Sequence, residues 1–391
     1  MDAKAAKNKQ IKESMRATKA RHGEMRCRVY EVKVVKNKLS KQKKDSLDQL
    51  FREGKWLRNS ELAKGYDNMD RNAKVATVKV GDVFEDRPLV LLGSQMKQDI
   101  VDSIKRDIRG LATKKQQGKK VGRLKFKSYC NSIPLRQYGT TYRIDFANHT
   151  VSIQNMAKLP IKVRGLKQIP GDAEIANAKL VRKASGYYFH ITVFEKREPD
   201  VLTGAVCGID FGIGHTLTFD NDDKVDICVP ETKAVKLASK RVNKSHHRNG
   251  KKKTNNHRKR VHKLQVAYEK LTNKKNDLAY KTVHTIVEKH NLIVIQDELI
   301  TQWHKGLFGK QVQHSAMGTI KKRLKSNPKT YVIESSFPST QICPVCGEKT
   351  KHDLSQREYL CQYCGYHHPS RDAKSAASLL EEALYRLKVA T

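Results

Sequence analysis

The sequence predicts a mixed α/β + β chain: a β-rich first half, then an α/β half with a zinc ribbon set into it. Three observations predict it. Between 121 and 196, segments such as KLPIKVRGL and SGYYFHITVFE are β-branched and aromatic and are punctuated by Gly and Pro, the pattern of short antiparallel strands in a barrel or sandwich. From Ala205 the order becomes strand-rich, then helical, then strand again. Finally, Cys343-Pro-Val-Cys346 and Cys361-Gln-Tyr-Cys364 are two matched knuckles with 14 residues between them. That spacing lets each pair offer two thiolates to one zinc ion, and four thiolates close its shell, which makes the metal structural.

Each element has its own signal. Residues 1–25 are basic without a strong apolar face and read as a helix or tail that orders on nucleic acid, or as a solvated terminus. Cys27–Val35 alternates and reads as a strand. Leu47, Leu50 and Phe51 fall at helical spacing before Gly54, and Ile100, Ile104, Ile108 and Leu111 do so before a basic run. The stretch Asp67–Pro88 is poorly patterned, and Thr113–Lys120 reads as a linker. AVCGIDFG and HTLTFD suggest a hairpin. Lys236–Lys263 holds about a dozen Lys and Arg and no acid, with Val261, Leu264, Tyr268, Leu271 and Leu278 continuing at helical spacing. NLIVIQ and TYVIESS read as strands, and Ala373–Leu387 as a helix. The remaining cysteines, Cys27, Cys130, Cys207 and Cys228, read as small buried residues.

Composition narrows the function. With 78 Lys and Arg against 40 Asp and Glu, the 391-residue chain carries a formal charge of +38. A charge of that size repels itself in the compact state unless a polyanion neutralises it, and nucleic acid is the expected partner. No run of 18 apolar residues, no secretory h-region and no Walker loop is present. The expectation is a cytosolic protein with reduced cysteines and no membrane partner.

Acids at strand ends supply candidate chemistry. Asp210 lies between Gly208, Ile209 and Phe211, where an acid is costly unless it meets a metal or a donor. Asp297 and Glu298 follow the strand NLIVIQ, and Asp372 stands at the entrance of the last helix. About three carboxylates from separate elements can hold two magnesium ions for phosphodiester cleavage. Singly, each has a bland reading: Asp372 as a helix-start acid, Asp297 and Glu298 as a solvated turn.

The motifs CGIDFGIGHTLTFD, LIVIQDELI, FPSTQICPVCG with CQYCGY, and SRDAKSAA, in that order, resemble the TnpB family of RNA-guided nucleases of insertion sequences, relatives of miniature type V CRISPR effectors and of Fanzor. The resemblance covers roughly residues 26–391, most strongly after 200. It implies an RNase H-like RuvC nuclease domain at 205–391 with the zinc ribbon at 340–368 inserted. It implies a discontinuous, WED-like β-barrel at 26–37 and 121–200, interrupted by a helical recognition domain at 38–120, with 1–25 as a basic extension. It further implies a metal-dependent RNA-guided DNA endonuclease that cuts beside a short flanking motif. Its partners would be a guide RNA and target DNA, its cofactors Mg2+ at a two-metal site and structural Zn2+. The expected state is a monomer with its RNA, with a dimer as the alternative, and the resemblance implies a bacterial, phage or mobile-element origin.

Carried over by motif, Asp210 matches the first catalytic acid and Asp372 the last. The third motif usually reads DRDxNAA. Here it is Ser370-Arg371-Asp372-Ala373-Lys374-Ser375-Ala376, with Ser and Lys replacing the first Asp and the Asn. The second motif usually places Glu-Asp-Leu directly after the strand, whereas this chain has Gln296-Asp297-Glu298-Leu299. In a rigid register Gln296 takes the acid's place and the protein is inactive. With a one-residue bulge Glu298 supplies the ligand, which is the favoured reading, with Asp297 the other candidate. Trp56, Arg58, Asn59 and Tyr66 are unranked candidates for nucleic-acid contact. The alternatives are a non-cutting RNA-guided repressor, a small type V CRISPR effector, or an autonomous nucleic-acid-binding protein with a zinc ribbon.

Overall fold

The computed structural model describes residues 3–156, 159–197, 205–249, 254–353 and 355–389. The chain divides into two compact units, 1–198 and 199–391.

The first unit opens with helix α1 (Ala3–Glu24), strand β1 (Arg26–Val34) and helix α2 (Lys41–Lys64). A hairpin of β2 (Val75–Val80) and β3 (Val83–Pro88) follows, then helix α3 (Ser94–Gln116). Six short strands complete the unit: β4 (Ser132–Leu135), β5 (Tyr142–Asp145), β6 (Thr150–Ile153), β7 (Ile161–Arg164), β8 (Glu174–Lys183) and β9 (Gly186–Glu195). A seven-stranded antiparallel sheet runs β4-β8-β9-β1-β7-β6-β5. The Tyr142 hydroxyl of edge strand β5 donates to Ala176 O of β8, beside the opposite edge, at 3.0 Å. That bond shows the sheet curling almost into a barrel.

β1 sits at the centre of this sheet although the whole helical segment separates it from its partners. The helices share the sheet's core instead of building their own: Leu47, Leu50, Phe51, Leu57, Met96 and Ile100 pack in one cluster with Val32, Ile133, Leu135, Phe189 and Ile191. Gly54 does not end α2. It lies inside the helix, where an added Cβ would stand 2.5 Å from Ile133 Cδ1, so the glycine permits a close approach. Three other expectations are corrected. Asp67–Pro88 contains the β2–β3 hairpin, hidden because its strands are mostly solvent-facing and lack clean alternation. The proposed linker at Thr113 is helical through Gln116. Cys27 and Cys228 are exposed and Cys130 half-buried, so Cys207 alone of the four is buried.

In the second unit, β10 (Val206–Asp210), β11 (Leu217–Phe219) and β12 (Lys224–Val225) form a meander. Helices α4 (Lys233–Asn249) and α5 (Asn255–Lys289) pack on each other and lead to β13 (Leu292–Gln296). Three short helices, α6 (Ile300–Trp303), α7 (Gly309–His314) and α8 (Met317–Lys325), precede β14 (Thr330–Ile333). The cysteine segment carries β15 (Tyr359–Leu360) and β16 (His367–His368), and α9 (Arg371–Val389) follows. The sheet order is β12-β11-β10-β13-β14, with β10, β13 and β14 mutually parallel. Helix α9 packs directly on β10: a Cβ at Gly208 would overlap the backbone carbonyl of Ala376. A parallel strand covered this way reads as a continuous apolar run, which is the pattern of NLIVIQ.

Candidate functional site

Asp210 ends β10, one residue beyond the register pair Ile209↔Ile295 that ties β10 to β13. Burial pushes its carboxyl well above the ordinary 3.8, and the charges of Asp372 and Glu298 push it further; the Ser375 hydroxyl and Arg371 oppose the shift. The three acids predicted from sequence therefore share one neighbourhood, Asp210 from a strand end, Glu298 from the turn after β13, and Asp372 from the first turn of α9. No choice of one oxygen from each brings the three within 4.8 Å of one another.

The segment after β13 separates its side chains. Gln296 is buried, its amide nitrogen donating to Glu334 O at 3.1 Å and Phe337 O at 2.6 Å. Asp297 pairs with Lys321 at 2.7 Å and Lys325 at 2.8 Å, and those hydrogen bonds hold its carboxyl below the ordinary range. Burial raises Glu298, against the opposing charge of Lys321. Lys321 also donates to the Glu298 carbonyl. The sequence could not reveal which of the three faces Asp210, because the chain leaves the strand there and period-2 logic stops applying.

At the start of α9, the Ala373 N–H bonds Ser370 Oγ at 3.3 Å. Lys374 and Ser375 are fully buried. Lys374 donates to Ser339 O at 3.0 Å and lies 3.9 Å from the centre of the Tyr359 ring, while burial lowers its ammonium to about 8. Ser375 Oγ is 2.9 Å from Ser339 Oγ and 3.5 Å from Asp210 Oδ1. Ser339 and Ser375 were not singled out by sequence; the clues were the departures from the motif, Lys374 for Asn and Ser375 for Ala.

The four cysteines converge. Their sulfurs all lie within 4.8 Å of one another, the one such group among the described residues, and the pairs Cys343–Cys364 and Cys346–Cys361 are 3.6 Å apart. Tetrahedral zinc with bonds of about 2.3 Å would space its sulfurs about 3.8 Å apart, so the set fits zinc. Gly347 and Gly365, each after a knuckle's second cysteine, take φ of 75° and 74°. Their N–H groups close the knuckles onto Cys343 O and Cys361 O at 3.0 and 3.1 Å. Backbone N–H groups of Cys364 and Tyr363 lower the Cys361 thiol, while burial and the neighbouring sulfurs raise those of Cys346 and Cys364. The acid cluster offers only hard oxygens, and a divalent cation would relieve the like charges around Asp210.

The basic block falls on α4 and α5, with residues 250–253 outside the described ones. In the first unit, Arg58 is buried and donates to Lys125 O, and Asn59 bonds both Lys127 O and Lys127 N. These two hold the 121–130 segment in place. Trp56 packs on the core under Arg87, and Tyr66 is exposed beneath Lys105.

Residues 189–301 match the OrfB_IS605 family, described as a probable transposase, so the resemblance to TnpB holds over that segment. A solved structure, the mini-RNA-guided endonuclease CRISPR-Cas_phi3, is similar at 12% identity and a TM-score of 0.31, over 53% of this chain and 51% of that one. This chain thus spans about half the length of that neighbour. No curated protein matches the chain. No helix among the described residues is long and apolar enough to cross a membrane.

Proposed function

We propose that the chain is an RNA-guided DNA endonuclease of the TnpB kind, with Asp210, Glu298 and Asp372 as its metal-binding acids. The observation that carries this reading is the half-buried Asp210 at the end of β10, its carboxyl raised by desolvation and by the charges of Asp372 and Glu298. An acid cluster so unfavourable in isolation is the expected state of a cation site. Glu298 is preferred over Asp297 as the middle ligand because two lysines already neutralise Asp297. When bound, magnesium would offset phosphate charge and lower the pKa of water at the site. The residues' own task is to hold the cation among three oxygens and to keep Asp210 facing it. The basic α4–α5 pair would grip phosphates, base pairing would supply sequence, and the helical segment 38–120 with the curled sheet would read the flanking duplex.

One observation favours a second reading, a guided binder that does not cut: β13 ends in Gln296, where an acid would complete the usual motif. Expression with the native flanking DNA, sequencing of the RNA retained through high salt, and a magnesium-dependent cleavage assay separate the readings. A discrete RNA with a constant scaffold and a variable end, together with cutting, supports the first. The same RNA without cutting supports the second. A smear of host RNA defeats both and favours generic nucleic-acid binding.

A further inference from the structure

A buried line of hydrogen bonds runs from the root of the cysteine segment to Asp210. Gln296, Ser339 and Ser375 are all within a few percent of complete burial. Both amide hydrogens of Gln296 are committed to backbone carbonyls, Glu334 O and Phe337 O, which leaves Oε1 to accept from Ser339 Oγ at 3.0 Å. Ser339 has one hydroxyl proton, and that bond uses it, so Ser339 can only accept from Ser375. Ser375 also has one proton, which its two acceptors share as a three-centre bond, Ser339 Oγ at 2.9 Å and, more weakly, Asp210 Oδ1 at 3.5 Å. The same residue 339 accepts from Lys374 through its carbonyl, and Lys374 lies over Tyr359 inside the cysteine segment. Tyr359 in turn donates to Gln341 O at 3.1 Å. Residue 339 is thus the junction between the metal-binding cysteines and the acid cluster. Gln296 cannot be exchanged for Glu at this junction, since a carboxylate would face two carbonyl oxygens.

We infer that Ser339 and Ser375 are positioning residues for Asp210, and that correct seating of the cysteine segment sets the cation affinity of the acid cluster. The inference rests on the nuclease reading above, in which Asp210 binds the cation. Outer-shell hydrogen bonds of this kind are worth 10- to 100-fold in metal affinity.

The test is manganese(II) binding to the full-length protein, read by electron paramagnetic resonance, with zinc content measured on the same samples. Ser375→Ala and Ser339→Ala weaken manganese binding about tenfold or more while zinc stays bound. Ser375→Thr, which keeps the hydroxyl, binds like the parent. The double variant Cys346→Ser/Cys364→Ser, far along the chain from Asp210, shows a comparable loss. Should Ser339→Ala itself shed zinc, Ser375→Ala decides, because it leaves residue 339 intact. Manganese affinity within about twofold of the parent in Ser375→Ala, or an equal loss in Ser375→Thr, overturns the positioning role. Unchanged affinity in the cysteine variant overturns the coupling. Undiminished binding in Asp210→Ala instead defeats the underlying assignment of the acid cluster.

Discussion

At the scale of residues, Asp210 bears an electrostatic load that Ser375 and Arg371 relieve only in part. Its carboxyl is held above its ordinary value, so its charged form opposes folding. Asp210→Asn is therefore expected to raise the melting temperature of metal-free protein by a few degrees and, on the proposed nuclease reading, to abolish cutting, checked by calorimetry and cleavage on the same preparation. On the proposed nuclease reading, Glu298→Gln should lower cleavage by roughly 100-fold or more, since a metal ligand supplies several kcal/mol and each 1.4 kcal/mol is tenfold. Asp297→Asn should cost far less, and the reverse order would move the ligand to Asp297. A distinct pH test lies at the exposed Arg386–Glu334 pair, a two-point contact at 2.7 Å that lowers Glu334 from 4.5 to about 2. A depressed carboxylate stabilises above its unfolded pKa and stops doing so as pH falls through the folded one. The small loss of melting temperature in Arg386→Gln should therefore be full above pH 4.5 and fade toward pH 2. Asp210 was legible in the sequence because its neighbours are apolar. Ser339 was not, because a serine before a knuckle carries no signal until the fold brings Gln296 and Ser375 to it.

At the scale of elements, the contact between α9 and β10 is the tightest constraint on the site. Gly208→Ala would drive a methyl into the Ala376 carbonyl, a backbone atom that cannot turn aside. Overpacking costs about 1–3 kcal/mol or more, and here it would also lift Asp372 and Ser375 from Asp210. Lower stability together with weakened manganese binding is the expected result; loss of stability alone would uncouple the helix from the site. Helix α1 has another role. Arg21 and His22 fasten its end to Glu174, with His22 stacked on Phe194 at 3.6 Å. Lys9, Lys12, Arg16 and Lys19, all exposed, follow one another at three- and four-residue steps along one side of it. Replacing the four with Gln should reduce the slope of log affinity against log salt for a single-stranded RNA by about 3, at roughly 0.7 per phosphate contact. An unchanged slope would make the stripe mere solvated surface. Long periodic elements such as α5 and apolar strands such as β13 were readable from sequence. The β2–β3 hairpin was not, since only Ala76 of β2 is buried and alternation had nothing to report.

At the scale of the whole molecule, the charge of +38 and the two units set the terms. Self-repulsion in the free protein predicts that added salt or bound RNA raises its melting temperature, whereas a protein with balanced charge would respond to RNA far less. The halves of the chain were legible because composition changes near Ala205, while the shared core of helices and sheet was not, because packing between α2 and Ile133 leaves no periodic trace. The central place of β1 also governs how the molecule is made. Its partner β9 lies about 160 residues later, so the first unit has high contact order. At 5–20 residues per second, a nascent β1 waits roughly 10–30 s for β9 to be translated. During that interval Leu47, Leu50 and Phe51 of α2 have no sheet to cover them. Fragments cut anywhere between 120 and 186 should therefore aggregate, and a split version of the protein should be divided between its two units instead.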